Sequence, residues 1–243
     1  MRPLILFIFL AMLLTPCVGR AEFTAEQRAE IVAIVRDAMK QDPSILRDAV
    51  TMLQADETAR DKASARDALV AAHDKLVTPA DPVGGNTKGD VTIVEFFDVR
   101  CPYCRKMEPD MAKFLAADKG VRLVYKDLPI LGPASMLGSK ALLAAQRQNA
   151  YEKFRDAVMK LPPDITLASL EGAAKKLGLD WARLAKDMED PAIRTQLDAN
   201  LAVAHSLNIQ GTPALIVGEE MVPGAVDTEE LKKLVAQARK AKG

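Results

Sequence analysis

The sequence is short of the residues that usually staple a small domain or ligate a metal. Its 243 residues include three cysteines, two histidines and one tryptophan, and aromatic residues make up 5%. Three thiols do not make a disulfide framework. A structural zinc site takes four Cys or His ligands, and the histidines, His73 and His205, lie far along the chain from the one Cys-x-x-Cys. Excess charge is also missing: 33 basic residues balance 33 acidic ones, so nothing suggests a nucleic-acid surface or an acidic tail. The longest apolar block, Leu4–Leu14, runs about eleven residues, against roughly 20 for a membrane-spanning helix.

That block follows Arg2 and precedes Thr15-Pro16, with the small residues Gly19 and Ala21 beyond it. The pattern predicts a cleavable signal peptide over residues 1–21 and an exported protein. Cleavage removes Cys17 and leaves Cys101 and Cys104 as the only thiols of the mature chain. In an oxidising compartment these two must pair with each other, bind a metal, or react with something external.

Cys101-Pro102-Tyr103-Cys104 lies between the apolar run Val91–Phe97, a buried strand, and a helical pattern of Met107, Met111, Phe114 and Leu115. Two thiols at i and i+3 at a helix start can share one disulfide, and the N-terminal amides favour a thiolate there. Cys101 takes the N-cap and the role of nucleophile, Pro102 fits N1, and Cys104 becomes the resolving thiol. This is the pattern of a thiol–disulfide oxidoreductase that needs no dissociable cofactor. Two-coordinate Cu(I), which prefers soft thiolates, is compatible with the same pair.

Before this site, Thr24-Ala25-Glu26-Gln27 reads as a capping box and opens a helix lined by Ile31, Ile34, Val35 and Met39. Asp42-Pro43 starts a second helix through Ile45, Leu46, Val50 and Leu53, and Gln54–Asp67 thins to a charged, solvated stretch. We expect residues 22–77 to form a helical extension whose unpartnered apolar stripe drives self-association. Residues 78–89, rich in Pro and Gly, form a linker, and the main domain runs from 90 to 243. It reads strand, helix, strand (Val121–Tyr125), an all-helical insertion at about 130–208, two strands and a final helix. That order predicts an α/β thioredoxin fold with a four-stranded mixed sheet and a helical insertion.

The second signal is Gly211-Thr212-Pro213. X–Pro statistics favour trans; only the fold assignment reverses them, because a cis bond there exposes backbone beside the cysteines for an incoming substrate chain.

Glu95-Phe96-Phe97-Asp98, Cys101-Pro102-Tyr103-Cys104 and Gly211-Thr212-Pro213 together resemble the DsbA-like branch of the thioredoxin superfamily, over about residues 82–243. The extension is similar to that of the suppressor-of-copper-sensitivity C (ScsC) proteins and related oligomeric periplasmic disulfide isomerases. The resemblance implies an exposed Cys101 nucleophile facing a cis-Pro213. It also implies a buried Glu95 that moves protons to Cys104, with Lys126 as its partner. Pro102, Tyr103 and Gly211 would line the substrate. Protein substrates, a membrane redox partner, a periplasmic location and a homo-oligomer, trimeric in related proteins, are further implications. The strongest oxidants of the family carry histidine where Tyr103 stands and valine where Thr212 stands, so both positions lean toward reductase or isomerase. A DsbA-like oxidase and a Cu(I)-sequestering protein are the alternatives.

Overall fold

A computed structural model describes residues 23–242; the signal peptide expected over residues 1–21 lies outside them. The chain divides into two compact units, one ending at Thr58 and one running Ala59–Gly243.

In the first unit, helix α1 (Ala25–Gln41) starts at the anticipated capping box. The Gln27 N–H donates to Thr24 Oγ1 at 3.2 Å and the Thr24 N–H to Gln27 Oε1 at 2.9 Å, which satisfies two of the orphan amides of the first turn. Asp42 then accepts the N–H and O–H of Ser44 and opens helix α2 (Ser44–Leu76). No residue of α1 is buried. Its Ile31, Val32, Ile34 and Val35 stay exposed, as do Ile45, Leu46, Val50 and Leu53 at the start of α2.

Helix α2 is continuous over 33 residues, so the charged stretch Gln54–Asp67 is helical. The reason is local: no Gly or Pro interrupts residues 44–76, and Ala, Glu, Lys and Arg are good helix formers. The expected domain boundary shifts as well. Leu69, Ala72 and Leu76, spaced three and four apart on one face, pack against Val94, Phe96, Val124, Leu128 and Ile216, so the last turns of α2 belong to the second unit.

That unit is built on a five-stranded sheet in the order β1-β3-β2-β4-β5. Strands β2 (Val91–Phe97) and β3 (Val121–Asp127) are parallel, and β4 (Ala214–Val217) and β5 (Glu220–Pro223) continue antiparallel from β2. The fifth strand, β1 (Val83–Gly85), pairs with β3 from inside the segment read as a linker. Helix α3 (Pro102–Ala117) follows β2, and α9 (Thr228–Lys242) closes the chain. Between β3 and β4 the insertion folds as α4 (Pro133–Gln146), α5 (Tyr151–Met159), α6 (Leu167–Lys176), α7 (Trp181–Asp187) and α8 (Pro191–Ser206).

Strand alternation divides the core in two. Ile93, Phe97, Leu123, Tyr125 and Leu215 face α3, α9 and most of the insertion. Val94, Phe96, Val124 and Ile216 face α2 and α8. Helix α4 comes close to the loop before the cysteines because Gly138 has no side chain: a Cβ there would lie 2.7 Å from Val99 Cγ2.

Candidate active site

Cys101 is the N-cap of α3, with extended backbone and Pro102 at the first helical position. Its side chain does not cap the helix; Sγ instead donates to the Thr212 carbonyl at 3.1 Å. The Thr212–Pro213 bond is cis. The two motifs, 111 residues apart in sequence, thus meet at one hydrogen bond. Pro102, Tyr103 and Gly211 are exposed around it, Thr212 is half-buried and Pro213 is buried.

The nucleophile expected to be exposed is largely covered: Cys101 is 4% exposed and Cys104 0%. The Thr212–Pro213 loop lies over the thiol, and only Cys101 of the pair reaches the surface. Burial pushes the Cys104 thiol well up, against the Asp98 backbone hydrogen bond that favours its thiolate; nearby Cys101 and Glu95 push in the same direction as burial. Both thiols are buried, Cys101 beside a backbone acceptor and Cys104 with no exposure.

Two arginines fix the loop leading into the cysteines. Arg100 donates through Nε to the Pro163 carbonyl at 2.8 Å and also to the Leu131 carbonyl. Arg105 donates to the carbonyls of Val99 and Leu161. The buried Asp98 carboxylate accepts from the backbone N–H groups of Arg100 and Leu131 at 2.8 and 3.0 Å. A cavity of about 530 Å³ borders the site, lined by Tyr103, Lys106, Met107, Asp110, Thr212 and Val226 among others.

Beneath the cysteines, Glu95 is 1% exposed, as the apolar run around it suggested. Its expected partner is corrected. In the parallel register Lys126 stands opposite Phe96, so it points to the other face of the sheet from Glu95. There it pairs with Asp81 at 2.7 Å, both side chains buried, and donates to the Lys75 carbonyl. Glu95 meets Arg155 of α5 instead, at 3.2 and 3.3 Å to its two oxygens. Arg155 also pairs with Glu108 of α3 at 2.5 Å. Burial raises the Glu95 carboxyl to about 7, because desolvation outweighs the attraction of Arg155 and Glu108 repels it further.

The sequence matches the family model of the DSBA-like thioredoxin domain over residues 92–236. The chain belongs to that DsbA-like family. Residues 27–60 match a second model, the copper resistance protein ScsC N-terminal domain. Among solved structures, a thioredoxin-like oxidoreductase from Silicibacter pomeroyi is 40% identical with a TM-score of 0.67, covering 69% of this chain and 97% of that one. Proteus mirabilis ScsC in a transitional conformation is 31% identical with a TM-score of 0.65, covering 90% of this chain and 97% of that one. A curated relative, the Na(+)/H(+) antiporter NhaA 1 of Salinispora arenicola, is 28% identical over 67% of this chain. The chain spans about a quarter (26%) of that relative's length.

Sequence reasoning missed Arg155, Glu108, Asp81 and Asp127. Asp127 ends β3, fully buried, and accepts a hydrogen bond from the Tyr151 hydroxyl at 2.6 Å. One signal was readable for Arg155. It sits four residues after Tyr151 and next to Phe154 on the apolar stripe of α5, where a buried charge requires a partner.

Proposed function

We propose that this protein is a periplasmic thiol–disulfide isomerase and reductase of protein substrates. The observation that carries this reading is the Cys101 Sγ contact with the Thr212 carbonyl. It puts the attacking sulfur beside backbone that an extended substrate can pair with, and leaves Cys104 buried behind.

The Cys101 thiolate attacks a substrate disulfide, forming a Cys101–substrate S–S bond and releasing the other substrate sulfur as a thiolate. In isomerisation a different substrate thiolate attacks the substrate sulfur of the mixed disulfide, forming a new substrate S–S bond and releasing Cys101 as a thiolate. In reduction Cys104 loses its proton to Glu95 and attacks the Cys101 sulfur; the second substrate thiolate leaves and a Cys101–Cys104 disulfide remains. A dithiol partner at the membrane then reduces that disulfide.

Tyr103 and Thr212, in place of the histidine and valine of the strongest oxidants, favour this direction over oxidation. The exposed apolar residues of the first unit support a homo-oligomer, a trimer by resemblance, that holds several sites together. They line a groove of about 440 Å³ formed by Ile31, Val32, Val35, Met39, Leu46 and adjacent side chains. The test is ribonuclease refolding. Recovery of activity from scrambled ribonuclease supports the reading; recovery only from fully reduced ribonuclease identifies an oxidase and overturns it.

The copper-resistance description of the N-terminal family model favours a second reading, Cu(I) capture by Cys101 and Cys104. Among the described residues no group of three or more His, Cys, Asp or Glu side chains is placed to hold a metal, so the fit is limited to two thiolates. Stoichiometric Cu(I) binding, lost in a Cys101→Ser, Cys104→Ser double variant and unaccompanied by disulfide exchange in the parent, would establish it.

A further inference from the structure

The guanidinium of Arg155 has a position that the exchange chemistry above does not by itself explain. The side chain is 1% exposed and lies over two aromatic rings set edge to face, 4.4 Å from the centroid of Phe97 and 4.6 Å from that of Tyr125. Its Nη2 faces both oxygens of Glu95, and its Nη1 faces Glu108. The two carboxylates differ in solvent access, with side chains 1% and 20% exposed respectively. One cation from the helical insertion therefore joins a carboxyl buried under the thiols to a second carboxyl on the cysteine helix.

We propose that Arg155 is a positioning residue for thiol exchange, dividing its charge between Glu95 and Glu108 and so setting how readily Glu95 takes the proton of Cys104. The inference rests on the proposed exchange function. The proton leaves the Cys104 sulfur for a Glu95 oxygen, the thiolate so formed attacks the Cys101–substrate disulfide, and the substrate departs as a thiolate. Glu95 performs this only as a carboxylate, and burial pushes its carboxyl up to about 7. Arg155 pulls that value down and Glu108 pushes it up. Cys104 also faces Glu95, and the remaining ionisable groups around Arg155 are Tyr125, Tyr151, Asp127 and Glu152. A planar guanidinium lies over both rings and reaches two carboxylates in a way that a lysine ammonium does not.

The deciding feature is that the two neighbours act on Glu95 in opposite senses. The experiment follows the Glu95 carboxyl by ¹³C NMR across pH in the parent, Arg155→Met, Arg155→Lys and Glu108→Gln, alongside the pH profile of Cys104-dependent release of a peptide mixed disulfide. Arg155→Met is expected to raise the Glu95 midpoint by about one pH unit or more, Glu108→Gln to lower it, and Arg155→Lys to fall between parent and Arg155→Met. Release should follow the same order. If Arg155→Met does not fold, the opposite displacements of Glu108→Gln and Arg155→Lys carry the test. Coincident midpoints in variants of a parent that exchanges normally overturn the role of Arg155 alone. A parent that releases no mixed disulfide at any pH overturns the exchange function and this inference with it.

Discussion

The sulfur of Cys101 donates to the carbonyl of Thr212 at 3.1 Å, so the residue preceding the cis-proline holds the thiol at the helix N-cap. With Cys101 4% and Cys104 0% exposed, the two thiols are chemically unequal. In the reduced protein, iodoacetamide should modify Cys101 at least about tenfold faster than Cys104, since the buried thiol is rarely a thiolate. Cys104→Ser should accumulate mixed disulfides with substrate proteins, and Cys101→Ser should give none. Mass spectrometry of the modified thiols and non-reducing gels check both.

Thr212 has a second property: its Oγ1 is buried with no hydrogen-bond partner among the described residues. Replacing it with valine removes an unsatisfied hydroxyl, so Thr212→Val should be neutral or stabilising by about 1 kcal/mol. The same change installs the residue of the strongest oxidants. It should lower activity on scrambled ribonuclease and raise activity on reduced ribonuclease. Thermal unfolding and the two refolding assays measure these effects.

Asp127 predicts a pH dependence of stability. Burial raises its carboxyl from 3.8 to about 7, against the hydrogen bond from Tyr151. Between those values the folded state keeps a proton that the unfolded state has lost. Its contribution is therefore full below about pH 4 and is lost as pH rises through about 7. The span corresponds to on the order of 4 kcal/mol, and Glu95, raised from 4.5 to about 7, acts in the same direction. Asp127→Asn has no proton to lose, so its stability relative to the parent should increase steadily from pH 4 to 7. Urea denaturation at three pH values in that range tests it; a constant difference would contradict the assignment.

The position of the domain boundary makes a further prediction. Deletion through Thr58 spares Leu69, Ala72 and Leu76, which are buried on the sheet. That variant should be a folded monomer that keeps reductase activity and loses isomerase activity. Deletion through Val77 also removes the three buried side chains and should cost about 2–5 kcal/mol for each leucine lost. Light scattering and calorimetry on the two truncations separate the outcomes. If the intact protein is itself monomeric, the role proposed for the extension fails.

The parts of this architecture legible in the sequence are those that local chemistry determines. The capping box at Thr24, the N-cap at Cys101 and the buried runs of β2 and β3 each depend on neighbours within a few positions. The omissions have equally physical reasons. Strand β1 is three residues long with two glycines, and it has no alternating pattern of its own because β3 imposes its pairing. The helix through Gln54–Asp67 has no apolar stripe, so propensity rather than periodicity determines it. The resemblance implies Lys126 as the partner of Glu95; the two sit on adjacent strands, but the register, a tertiary property, sends them to opposite faces. Arg155 is 60 residues from Glu95 in sequence, and only the docking of α5 on the sheet brings them together.

The direction of exchange is the central claim, and the redox state of Cys101 and Cys104 in the cell tests it most directly. Acid quenching followed by alkylation with a mass tag counts free thiols at steady state. The account predicts a predominantly reduced pair, as an isomerase or reductase needs; a predominantly oxidised pair would contradict it and identify an oxidase.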